Sequence, residues 1–596
     1  MPHPSSLASV EIGSLHLRLE GEQSTPAVSL TAEEISPGLS LVHLEIFADA
    51  NWSPTPLKLS WRRPIVDTIG VWCSASDMKR GLTLPWEITV KSKATSHAPV
   101  ICLYGADGGN RMTFACSEVL EHIESTASVH EATGTFACHV LFFSQPTAPL
   151  RHYRATIRID LRPAPFHQSL REVQEWWAGM PGIAPSPVPD AARWPMYSTW
   201  YSFHQEMTDA AVEEQCRLSR ELGCDAVIID DGWQTADNAG GYAYCGEWEV
   251  YCGKFPDMAA HVARIHALGM KCLLWYSVPF IGFKSPAYQR FRGKFLVEQD
   301  YFQAAVLDPR FPEVREFLIG LYENAIREWD LDGLKLDFVD SFAPSATSYT
   351  DGVEGRDIVS VPDAVDRLMR DVNIRLRRIK PDILIEFRQS YVGPLMRNYG
   401  NMFRAHDCPN DALTNRVRIV DVRLLAGNTA VHSDMLMWSN HEPVASAALQ
   451  LLNILFSVPQ VSVRIDEIPE DHRQMLAFWL GFWREHREVL LDGDFQPFHP
   501  EQFYPFVLAR GASSWIGAIY ANIAAPLGNR LPGELWLVNA TPWSRVLVEL
   551  DTDSGSYDVE EYDVLGRPVV SSQVALTPGL HALKVGPSGL LRLRRS

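Results

Sequence analysis

The chain has 596 residues, 46 % hydrophobic and 21 % charged, with a formal net charge of −19. It is too long for one ordinary domain, and its composition is that of a globular protein able to bury several cores. The acidic balance argues against a nucleic-acid partner, which needs clustered Lys and Arg, and more weakly against an anionic membrane. No apolar stretch is long enough to cross a bilayer. Met1–Glu20 lacks the basic start and apolar run of a signal peptide, so the sequence reads as cytoplasmic. Of the ten cysteines, Cys245 and Cys252 lie near each other but lack partners at zinc spacing, so buried free thiols are expected and no metal or cofactor is implied.

Residues 1–180 read as a β-sandwich domain. Short β-branched and apolar runs at Leu15–Leu19, Leu41–Phe47, Val100–Tyr104 and His152–Leu161 are separated by Gly, Pro, Asn and Ser. Gly105-Ala-Asp-Gly-Gly-Asn110 has no helix after it and reads as a turn, not a phosphate cradle. A short helix over Ser169–Trp177 leads into the proline-rich run Met180–Pro189, a linker.

Residues 190–490 alternate strand and helix. Strands are expected at Met196–Tyr201, Ala226–Asp230, Lys271–Tyr276, Gly333–Phe338 and Ile383–Phe387. Helices are expected at Thr208–Leu222 with Thr208 as N-cap, Met258–Leu268, Val314–Trp329 and Asp363–Ile379. This alternation implies a parallel sheet with crossover helices, and its repeat count fits a (β/α)8 TIM barrel better than an open sheet. Residues 491–596 return to short strands, at Phe506–Ala509, Trp515–Tyr520, Glu534–Asn539, Leu547–Leu550 and Leu590–Leu593, which suggests a C-terminal β-sandwich.

A parallel barrel gathers its chemistry at the C-terminal strand ends. The polar residues there are Trp200, then Asp230 and Asp231, then Trp275, then Lys335 and Asp337, then Glu386 and Arg388. Arg404, His406 and Asp407 follow, and then His432 and Asp434. Carboxylates accept hydrogen bonds from sugar hydroxyls, indoles pack on pyranose rings, and a carboxylate pair can cleave a glycosidic bond. Taken singly, each residue has a plainer reading as a cap, a core side chain or an ion-pair partner. Lys335 and Asp337 are harder to dismiss. They are two apart on one strand face, costly inside a barrel unless paired or used, and the lysine should keep the aspartate ionised as a nucleophile requires.

Val227-Ile-Ile-Asp-Asp-Gly-Trp233, Gly246-Glu-Trp248, Lys254-Phe-Pro256, Gly269-Met-Lys271, Leu274-Trp275, Val306-Leu-Asp308, Pro312-Glu-Val314 and Asp332-Gly-Leu-Lys-Leu-Asp-Phe338 resemble, in order, glycoside hydrolase family 36. Families 27 and 31 are relatives in its α-galactosidase clan. The resemblance is strong over residues 194–340 and collinear to Trp438. It implies a central barrel between an N-terminal supersandwich and a C-terminal sandwich, and a retaining, exo-acting α-galactosidase-like enzyme. It further implies an oligosaccharide or glycoside substrate, and family members often form dimers or tetramers. By the same resemblance Asp337 matches the nucleophile and Asp407 the acid/base, with Asp411 and Asp434 as competitors. Lys335, Asp230, Asp231, Trp200 and Trp275 match sugar-binding positions, with Glu386, Arg388 and Arg404 as further members. The charge of Asp337 should then raise the pKa of Asp407 in the free enzyme.

Departures from the family pattern fall at Ile385 to Ser390, at Val339 in place of an Asn, at Phe302 in place of an Arg, and in the spacing from Asp407 to Arg416. They open the alternatives of another α-hexoside, such as an α-glucoside or α-N-acetylgalactosaminide, and of transglycosylation. A catalytically silent carbohydrate-binding protein and a metal-dependent hydrolase are the alternatives of another class.

Overall fold

The computed structural model describes residues 5–81, 86–349 and 352–596. Eight parallel strands form the central sheet: β1 (Met196–Ser198), β2 (Ala226–Ile229), β3 (Lys271–Ser277), β4 (Gly333–Asp337), β5 (Leu384–Arg388), β6 (Met402–Arg404), β7 (Ala430–His432) and β8 (Gln460–Val461). They pair in chain order, and β8 returns to β1. The last gap closes just before β8, where Val458 N donates to Val431 O at 2.8 Å and Ser433 N to Val458 O at 3.0 Å. This is the expected barrel.

Local chemistry sets its parts. β2 reads Ala-Val-Ile-Ile and is buried throughout, as a strand covered on both faces must be. Thr208 caps the helix Asp209–Glu221, Asp257 caps Met258–Ala267, and Ser360 caps Val361–Ile379, each accepting a backbone N–H of the first turn. Gly333 opens β4 because a Cβ there would stand 2.4 Å from Leu384 O of the adjoining strand. One sequence expectation fails. β1 stops at Ser198, and Trp200 opens a short helix, Trp200–Phe203, instead of ending the strand.

Two six-stranded antiparallel sheets occupy residues 5–160 and face each other across a core that includes Leu17, Leu44, Leu59, Phe114, Val140 and Ile157. Leu15–Gly21 shows the alternation of a strand with one buried face. Gly105–Asn110 is the turn between Val100–Tyr104 and Asn110–Cys116, closed by Gly105 N to Gly109 O at 2.9 Å. At the other end, a seven-stranded sheet and a three-stranded sheet pack around Phe506, Leu537 and Val548. All ten cysteines are free, and Cys252 alone is exposed.

The three parts meet on the helix Ala412–Ala426. Its Asp421 accepts from Trp72 Nε1 at 2.9 Å and from Tyr504 OH at 2.7 Å, and it pairs with Arg80. Arg80 and Asp421 are almost wholly buried, so each is stable there only with the other. Asp421→Ala strands the Arg80 charge. It should lower the stability of the first denaturant-induced transition by about 3–5 kcal/mol, and an unchanged transition would show that the clasp does not join these parts.

Candidate active site

β4 delivers Lys335 and Asp337 to one side of the barrel, and their neighbours in register are Trp275 and Ser277 on β3. The Asp337 carboxylate is unevenly held. Oδ1 accepts from Phe338 N at 2.7 Å, Arg388 Nε at 2.8 Å and Tyr391 OH at 2.9 Å. Among the described residues, Oδ2 accepts from Trp275 Nε1 alone, at 3.1 Å. Burial would raise the pKa of this carboxyl, but Arg388, Lys335 and the indole N–H outweigh it, so Asp337 lies below the ordinary carboxylate range. The group is therefore ionised, with one oxygen carrying a single donor.

Lys335 Nζ donates to Asp230 Oδ2 at 2.6 Å. Asp231 accepts from Gln205 Nε2 and Gln234 Nε2, each at 2.7 Å, and burial lifts its pKa to about 6. The turn after the pair needs glycine. Gly232 has φ of 117°, and a Cβ there would meet Gln205 Cα at 2.7 Å. Lys254 Nζ then donates to Gln205 O at 2.7 Å, Gly232 O at 2.9 Å and Asn238 Oδ1 at 2.7 Å, tying the loops after β1 and β2 together. Trp233 donates from Nε1 to Trp275 O at 3.0 Å, so the tryptophan of this motif supports the indole beside Asp337.

Arg404 ends β6 and is 1 % exposed. It binds Asp407 Oδ1 at 2.8 Å, pairs with Asp434, and lies 3.7 Å from Glu386 Oε1. Glu386 is fully buried and accepts from Gln460 Nε2. Arg404 and Glu386 are buried, as are Asp230, Asp231, Trp275 and Lys335. Of the three candidate acids, Asp407 and Asp411 are exposed, the Asp407 side chain to 38 %. Asp434 is buried and accepts from Tyr201 OH at 2.9 Å and Cys408 N at 2.6 Å. Asp411 caps the helix Ala412–Ala426, accepting from Thr414 N at 2.9 Å.

The expected rise in the Asp407 pKa is not found. Burial works in that direction, but Arg404, Lys335 and Arg388 together hold the carboxyl well below its usual range in the unliganded protein. His406 stands beside it with its pKa lowered to about 4 by burial and the nearby arginines. His432 is spent on Ala192 O at 2.8 Å, and among the described residues no three His, Cys, Asp or Glu side chains form a metal-binding group.

Four contributors escaped the sequence reading. Tyr391 lies in the loop after β5, where a strand pattern gives no cue. Tyr201 reaches Asp434, while the expected Trp200 faces His204 at a ring distance of 5.0 Å. Gln205 and Gln234 are neutral and carried no signal. Phe302, a departure from the family pattern visible in the sequence, packs against Tyr242, Phe280 and Phe338, and this aromatic cluster touches Trp275 through Tyr242 and Phe338.

Residues 184–386 match the Melibiase family. The chain is 24 % identical over 153 residues to the α-galactosidase Mel36A of Lactobacillus acidophilus, covering 24 % of this chain and 19 % of that protein. It is 24 % identical over 202 residues to an A type blood α-D-galactosamine galactosaminidase of Flavonifractor plautii, covering 30 % and 18 %. The matched region thus spans about a fifth of the length of these curated relatives. In fold, the chain is similar to the GH36 α-galactosidase AgaA of Geobacillus stearothermophilus, with a TM-score of 0.64 and 16 % identity over 98 % of this chain and 81 % of that one. A variant of AgaA has been solved with raffinose.

The Asp231 environment gives a stability test. The folded carboxyl holds its proton to about 6, whereas an unfolded Asp releases it near about 4. The folded state therefore binds more protons between these values, and the contribution of this group falls as pH rises through that window. The melting midpoint of Asp231→Asn, measured relative to the parent, should improve from pH 4 to pH 7. A difference that is flat with pH would contradict the assignment.

Proposed function

We propose that this GH36-like chain, whose residues 184–386 match the Melibiase family, is a retaining, exo-acting α-glycosidase of α-galactosidase type acting on an oligosaccharide or simple glycoside. The observation that carries this reading is the uneven hold on Asp337. Three donors fix Oδ1, while Oδ2 has one. Oδ2 is the attacking oxygen.

In the first step Oδ2 bonds to the anomeric carbon as the bond from that carbon to the leaving oxygen breaks, and Asp407 gives its proton to that oxygen. In the second step Asp407 takes a proton from water, the water oxygen bonds to the anomeric carbon, and Oδ2 leaves. The α configuration is restored by two inversions. Asp230, Lys335 and Asp231 bind the sugar hydroxyls, and Trp275 packs on the ring while keeping Oδ2 in place. Arg388 and Tyr391 hold charge on Asp337 between turnovers. Asp407 becomes protonated only when substrate covers its exposed carboxyl and sugar hydroxyls engage the cations that hold it ionised.

The aromatic cluster around Phe302 favours a second reading within the same class. It puts an apolar surface where the α-galactosidase pattern has an Arg, which suits an α-hexoside with a different substituent, such as an N-acetyl group.

A panel of 4-nitrophenyl α-galactoside, α-glucoside, α-N-acetylgalactosaminide and α-xyloside identifies the sugar. On the best of them, Asp337→Ala should fold normally and lose at least about a thousandfold in kcat. Azide should restore part of the rate and yield the β-glycosyl azide. Near-normal turnover by a folded Asp337→Ala would end the proposal.

A further inference from the structure

The segment that carries Asp407 is held from two directions. On the barrel side, Ala405 N donates to His432 O at 3.0 Å and Cys408 N to Asp434 Oδ2 at 2.6 Å. On the outer side stands Arg418, on the helix Ala412–Ala426. Its Nη1 donates to His406 O at 3.2 Å and to Asp407 O at 2.9 Å. The other edge of the same guanidinium faces Asp77, with Nε to Oδ1 at 3.1 Å and Nη2 to Oδ2 at 2.8 Å. Asp77 lies in the N-terminal sandwich, in a turn just after the strand Gly70–Cys73. Its φ is 48°, and the turn is closed by Lys79 N to Ser76 O at 2.7 Å.

We infer that Asp77 and Arg418 position the acid/base: the N-terminal sandwich holds the Asp407 backbone through a bidentate carboxylate–guanidinium pair that passes on to two carbonyls. This rests on the reading of Asp407 given above. An arginine can do this because its planar fork serves a carboxylate along one edge and carbonyls with its remaining nitrogen; a lysine offers a single point charge. Among the described residues, the Asp407 side chain is hydrogen-bonded only to Arg404, so the aim of its carboxyl depends on where its backbone is fixed. The pair adds little to stability, since Asp77 is 47 % exposed. Attachment of the helix is already provided by Arg80 and Asp421. What Asp77 and Arg418 add is placement.

The same domain grips the other catalytic loops. Lys93 Nζ donates to Asp340 O at 2.6 Å and Phe342 O at 2.9 Å, beyond β4, and His97 N donates to Ser390 O at 2.8 Å, beyond β5. The sandwich therefore touches the loops that follow β4, β5 and β6; β4 ends in Asp337, and the loops after β5 and β6 carry Tyr391 and Asp407.

The test compares the preferred 4-nitrophenyl α-glycoside with the corresponding methyl α-glycoside, whose leaving group needs full protonation. Asp77→Asn and Arg418→Lys should each lose about 10- to 100-fold in kcat on the methyl glycoside, with a far smaller loss on the nitrophenyl glycoside and nearly unchanged melting midpoints. Asp77→Glu should recover most of the rate. Asp407→Asn, measured alongside, should show the same split more strongly. If Asp407→Asn shows the split and the other two variants lose equally on both substrates or not at all, the positioning role is overturned and the acid/base reading stands. If Asp407→Asn shows no split, the acid/base assignment falls and the positioning role falls with it.

Discussion

Arg404 is the residue on which the rest of the site depends. Its buried guanidinium serves Asp407 and Asp434 and lies near Glu386. Three carboxylates gathered at one end of a barrel repel each other and lose hydration; Arg404 opposes this and holds Asp407 ionised, while burial still raises the pKa of Glu386 and Asp434. Across the barrel mouth, Lys335 with Asp230 and Arg388 with Asp337 repeat the device at smaller scale. The outcome is a charge lattice in which Asp407 keeps an exposed carboxyl and Asp337 keeps an oxygen with a single donor.

That lattice also explains why the unliganded charge state differs from the one catalysis needs. Reasoning from Asp337 alone expects its negative charge to push protons onto Asp407. Three cations outweigh one anion, and the carboxyl is held ionised. In the proposed reaction the sugar itself changes this balance, since its hydroxyls compete for Lys335 and its bulk removes water from Asp407. Protonation of the acid is then coupled to occupancy of the pocket.

The barrel was legible in the sequence because its signals are local. Caps at Thr208 and Ser360, the apolar run at Ala226–Ile229 and the same-face spacing of Lys335 and Asp337 are all read within a few residues. The contributors that escaped are the ones set by distant packing. Tyr391 reaches Asp337 from an irregular loop, and Asp77 meets Arg418 across 341 positions of chain. Trp200 against Tyr201 turned on where a three-residue strand stops, a boundary the pattern does not fix. Asp411, which the spacing to Arg416 offers as an alternative acid, caps the helix that follows it, a role the sequence does not single out.

The central claim is that Asp337 forms the covalent bond to the sugar. Incubation with an α-fluorosugar that forms the glycosyl-enzyme quickly and releases it slowly, followed by proteolysis and mass spectrometry, reads this directly. The account predicts one added sugar per active chain, on the peptide containing Asp337, and prevention of labelling by a competing substrate. A stable label on Asp407 or on any other carboxylate would contradict it, as would turnover that gives the inverted anomer with no label at all.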